Sequence, residues 1–161
     1  VDVLRIQQQA GGTGCQTLRA ALRELQPQVV IMIVHAQIPP PFKFEPLRDT
    51  GVPGLTEAFY SCSVASVEEI LRPHGLHLLR LSGPYAMFVH PQAWGRSPLP
   101  IDGFECYRHA EVWGVGFFPL SAVREWAFHP DIPTSFARLH ANFTAAAAAA
   151  GVPGEAFVLG F

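Results

Sequence analysis

The sequence of 161 residues predicts an α/β fold that closes in an antiparallel hairpin, and three observations carry that expectation. An apolar run ending at Ile6 is followed by a helical period from Cys15, and then by the strand-length run Val29–Val34. A second helical period opens at Ser63 and leads into another strand, Leu76–Leu81. Only Ser82-Gly83-Pro84 separates that strand from Tyr85–His90. So short a connection permits an antiparallel pair and forbids a parallel one, which needs a long crossover.

Each element follows from its local pattern. Val1, Val3, Leu4 and Ile6 form a short β-branched run, and because the chain opens directly on it we expect further residues upstream. Leu18, Ala21, Leu22 and Leu25 recur at three- and four-residue spacing, with Arg19, Arg23 and Glu24 on the solvated side. Pro27 ends that helix. The uninterrupted "VVIMIV" suits a strand covered on both faces. "IPPPFKFEPL" (38–47) reads as a rigid loop, since its prolines fix φ and lack donors. Residues 48–62 read as irregular, with Gly51, Pro53 and Gly54 as turn signals. Ser63 is placed to cap a helix whose apolar face is Val64, Val67, Ile70 and Leu71, and Pro73-His74-Gly75 ends it.

Residues 1–91 thus form the α/β domain, and 92–161 form an extension rich in proline and aromatic residues that holds Trp94, Trp113 and Trp126. Within it Val112–Phe118 reads as a strand. Thr134 or Ser135 reads as the cap of a helix over 134–150, favoured by the run Ala145–Ala150.

Composition narrows the function. The net charge is −2 with both signs interspersed, and nothing in it suggests a nucleic-acid footprint or a polybasic membrane patch. No apolar run approaches the roughly 20 residues of a membrane span. Only 15% of residues are charged, against about 25% in typical soluble domains. A surface so short of charge fits coverage by a protein partner or by further sequence. Cys15, Cys62 and Cys106 form no CxxC pair, and their odd number reads as free thiols in a reducing, intracellular compartment. The sequon Asn142-Phe143-Thr144 reads as a chance match.

The element order and two strings resemble the C-terminal half of an FkbM-type, S-adenosylmethionine-dependent methyltransferase domain. The first string is Ile38-Pro39-Pro40-Pro41-Phe42-Lys43-Phe44, similar to the loop after the fifth strand of eukaryotic relatives. The second is "SVASVEEILRPHGLHLLRLSGPYAMFV" (63–89). The resemblance covers residues 1–91. It implies a Rossmann-like sheet whose fourth to seventh strands lie here, S-adenosylmethionine as cofactor, and a small-molecule or macromolecular acceptor methylated on oxygen or nitrogen. It also implies acidic positions where this chain has Gln7, Gln9 and Gln37, and a glycine-rich cofactor loop that does not occur in these 161 residues. A non-catalytic binding or structural subunit of the same descent is the rival reading.

Ligands of open α/β sheets bind outside the carboxyl ends of the strands. That places Gln7–Gly14 and His35–Phe44 on one rim. Gly11-Gly12-Thr13-Gly14 stands between strand and helix, as a phosphate cradle does, but lacks the third glycine and the Gly-Lys-Ser/Thr of the known motifs. It reads as a tight turn. Gln7, Gln9 and Gln37 keep hydrogen bonding but not the charge or basicity of a carboxylate. His35 is the titratable group beside the rim and the candidate base, with a structural hydrogen-bonding role as its alternative. Lys43 is a candidate contact for an anionic substrate, with simple surface solvation as its favoured alternative. His74 and His77 straddle a helix end and do not read as a metal pair.

Overall fold

The computed structural model describes residues 2–7, 14–47, 61–95, 131–152 and 156–161. In chain order these form β1 (Val3–Ile6), α1 (Gly14–Glu24), β2 (Val29–Ile33), β3 (Lys43–Pro46) and α2 (Val64–Leu71). A 3-10 turn (Arg72–His74) then leads to β4 (His77–Ser82), β5 (Tyr85–Val89), the single turn α3 (Pro91–Trp94), α4 (Ile132–Ala149) and β6 (Phe157–Gly160). The architecture is mixed α/β.

The main sheet has four strands in the order β1-β2-β5-β4. β1 and β2 run parallel, with Val3 opposite Val29 and Ile6 opposite Met32. β5 inserts antiparallel between β2 and β4, and β4–β5 is the expected hairpin, with an irregularity between Leu78 and Arg80. Both crossovers, β1-α1-β2 and β2-α2-β4, step the same way across the sheet. Right-handed connections therefore put both helices on one face, where α1 and α2 touch. Leu18 and Leu22 of α1, and Val67 and Leu71 of α2, share a core with Val30, Met32, Leu78 and Phe88. β2 departs from its expected coverage: Val30 and Met32 are buried, while Val29, Ile31 and Ile33 on the other face are half-buried.

The proline segment also differs from the loop it was expected to be. Its second half, β3, pairs antiparallel with β6 in a separate two-stranded ribbon, Phe44 opposite Leu159. Pro46 is the last residue of β3, a position at a strand end where its missing donor is tolerated. α4 starts ahead of its expected cap, with Asp131 as the N-cap residue and Pro133 in the first turn, where no intrahelical donor is needed. The strand expected at Val112–Phe118 lies outside the described residues.

Ser63 does more than end a loop. Its hydroxyl accepts from the amides of Ser66 (3.3 Å) and Phe44 (3.0 Å), and its own amide donates to the Phe44 carbonyl at 3.0 Å. One side chain thus caps α2 and holds β3. Where the 3-10 turn ends, Gly75 has φ +71°, and a Cβ there would come within 3.0 Å of His90 Nε2. The left-handed backbone conformation demands glycine, and a Cβ there would also press on the His90 ring.

Ser63→Ala removes the cap and leaves the Phe44 amide buried without its acceptor. A loss of about 2–3 kcal/mol follows. Urea unfolding tests it: the midpoint should fall with an unchanged slope, and an unshifted midpoint would contradict the dual role.

Candidate functional site

The parallel pair β1–β2 fixes where a rim can be. Past β1 stands Gln7, exposed. Gln9 lies outside the described residues, as do Gly11, Gly12 and Thr13; Gly14 is the buried first residue of α1. Past β2 the chain bends inward. Val34 donates to the Pro84 carbonyl at 2.8 Å, His35 donates its amide to the Cys62 carbonyl at 2.6 Å, and the Ser61 hydroxyl donates to the Ile33 carbonyl at 2.6 Å. These bonds satisfy the strand end and draw the following residues under cover.

His35 has no exposed surface and Gln37 is 5% exposed. The imidazole meets Phe44 edge-on at 5.5 Å and Phe143 edge-on at 5.8 Å. Phe44 stacks on Phe143 at 4.4 Å, and Phe157 tilts against both. Three separate elements supply these rings: β3, α4 and β6. Ile38, Pro39, Pro40 and Phe42 are buried as well, so the proline loop is packing material along most of its length. A soluble acceptor reaches the imidazole only if this cluster opens.

Lys43 is placed elsewhere. Alternation along β3 points it away from Phe44, onto the side it shares with Glu45. Its Nζ lies 3.0 Å from Glu69 of α2, and Glu45 accepts two hydrogen bonds of 2.7 Å from the Arg19 guanidinium of α1. The bond to Glu45 holds Arg19 above the ordinary arginine pKa, against a lowering by partial burial. The structure therefore gathers His35 and Gln37 in the exit of β2, leaves Gln7 exposed at the exit of β1, and turns Lys43 toward the helices.

Cys15 and Cys62 correct the free-thiol expectation. They are joined as a disulfide with Cα atoms 6.1 Å apart, clamping the first turn of α1 to the segment that backs His35. A sequence separation of 47 residues concealed the pair. Ser61, Ser63 and Phe143 were likewise missed as organisers of the rim. Ser63 signalled only its cap, and Phe143 only the buried ring of a helical period with Leu139 and Ala147.

Among the described residues no group of three or more His, Cys, Asp or Glu is placed to hold a metal ion. Nor is any helix among them long and apolar enough to cross a membrane. No family model, curated protein or solved structure matches the chain.

Two outcomes check this geometry. Phe143→Ala should cost about 3–5 kcal/mol and open His35 to carbethoxylation, followed by peptide mapping. In the unmodified chain His35 should resist the reagent while exposed His74 reacts; equal reactivity would refute the sealed site. Alkylation of the denatured, unreduced chain should label one cysteine, Cys106, and reduction should expose all three. Three labels without reduction would refute the disulfide.

Proposed function

We propose that residues 1–91 of this chain are methyltransferase-like, corresponding to the C-terminal half of an FkbM-type domain, with an altered rim. The reaction class is transfer of a methyl group from S-adenosylmethionine to an acceptor oxygen or nitrogen. The observation that carries the reading is the sheet itself. Two parallel strands followed by an antiparallel hairpin at the sheet edge support the reading, since the resemblance implies a sheet that ends in such a hairpin. The proline string leaves the carboxyl end of β2, where the resemblance puts it.

When bound, S-adenosylmethionine supplies an electrophilic methyl group on a sulfonium. The described rim is a poor cradle for it. Gln7, His35 and Gln37 offer no carboxylate for the ammonium of the cofactor or for its ribose hydroxyls. The work of this half is on the acceptor side. Gln7 is exposed beside β1 and able to orient an acceptor by hydrogen bonds, but a neutral amide does not take its proton.

A second reading, a non-catalytic binding or structural subunit of the same fold, is favoured by one specific observation: the burial of His35 between two phenyl rings. Isothermal titration of the chain with S-adenosylmethionine and S-adenosylhomocysteine separates the two. Saturable binding of either ligand fits the methyltransferase reading, and because Gln7 serves the acceptor, Gln7→Ala should leave that affinity unchanged. No heat at millimolar ligand assigns the chain to the structural reading.

A further inference from the structure

We propose that a groove between the carboxyl halves of α1 and α2 binds a small organic anion with an apolar body, an aryl or alkyl phosphate or carboxylate. α1 leads into the start of β2, and α2 with its 3-10 turn leads into the start of β4. The groove therefore lies toward the amino ends of these parallel strands, opposite the rim discussed above, and does not depend on the methyltransferase reading.

The groove is shallow and open to solvent, with a volume of about 420 Å³. Buried Leu22 and half-buried Ile70, with Pro73 beside them, give it an apolar lining. Around that lining stand Arg19, Arg23 and His74, with Glu69 as the acid. Spacing explains the convergence: residues 19, 22 and 23 share one face of α1, while 69, 70, 73 and 74 come from the last turn of α2 and its 3-10 continuation.

Charge decides what the groove accepts. Glu69 is paired with Lys43 at 3.0 Å and Arg19 with Glu45 through a two-pronged bond that fixes its orientation, so both of these charges are matched. A guanidinium has five N–H donors, so those two bonds leave Arg19 others to offer. Arg23 and His74 have no hydrogen-bonding or ionic partner among the described residues, although the whole chain carries a net charge of −2. Cationic donors beside an apolar strip, in a groove of this size, match one anionic head on a compact apolar body. Arg23 in the last turn of α1 also offsets the helix dipole. That role needs only a positive charge, whereas forked recognition of phosphate or carboxylate needs the guanidinium.

The test is titration of the folded chain, by calorimetry or amide chemical shifts, with phenyl phosphate, benzoate, inorganic phosphate and phenol. Phenyl phosphate or benzoate should bind at least about tenfold more tightly than either inorganic phosphate or phenol. Which of the two binds better identifies the head group. Arg23→Gln should weaken binding about tenfold. Arg23→Lys should weaken it while leaving the unfolding midpoint unchanged, and Arg80→Gln, at an exposed position of the edge strand β4, should change nothing. Equal affinity for phenyl phosphate and inorganic phosphate, or equal losses for Arg23→Gln and Arg80→Gln, would overturn the proposal.

Discussion

Phe44 is the residue on which the arrangement of this molecule turns. Its amide and carbonyl are both committed to the start of α2, through the Ser63 hydroxyl, the Ser63 amide and the Ser66 hydroxyl. Its ring faces the other way, onto Phe143, Phe157 and His35. Backbone and side chain thus join the helical layer to the C-terminal ribbon through one residue. The ribbon could not otherwise be located, because a pair of four-residue strands is too small to be stable alone.

Electrostatics reinforces the same junction. The two faces of β3 divide the labour: Phe44 enters the aromatic cluster, while Lys43 and Glu45 reach the solvent-facing sides of α2 and α1. Exposed ion pairs of this kind contribute little energy individually. Their value here is directional. With one cation and one anion on the ribbon, and the complementary charges on different helices, a shifted register would bring like charges together.

Much of the main sheet was legible in the sequence because its signals are local. Helical spacing from Leu18, the Ser63 cap and the three-residue link before Tyr85 each report on neighbouring residues, and each corresponds to an observed element. The ribbon was not legible, since Phe44 and Leu159 meet only through tertiary structure. For the same reason Cys15 and Cys62 read as unrelated thiols. His35 shows the limit most clearly. Its position after β2 was readable, but its burial depends on rings contributed by β3 and α4, and no local pattern announces that.

The pairing of β3 with β6 has a consequence for how the chain assembles. The β4–β5 hairpin closes across two residues, Gly83 and Pro84, whereas β3 and β6 must meet across well over a hundred. Closing so long a loop carries a conformational entropy cost that grows with its length, and non-local contacts of this type are slow to form. Secondary structure in the main sheet is available early. The cover over His35 is assembled from Phe44 of β3 and Phe143 of α4, which lie far apart in the chain, so a fully buried polar ring depends on contacts that are among the least local described.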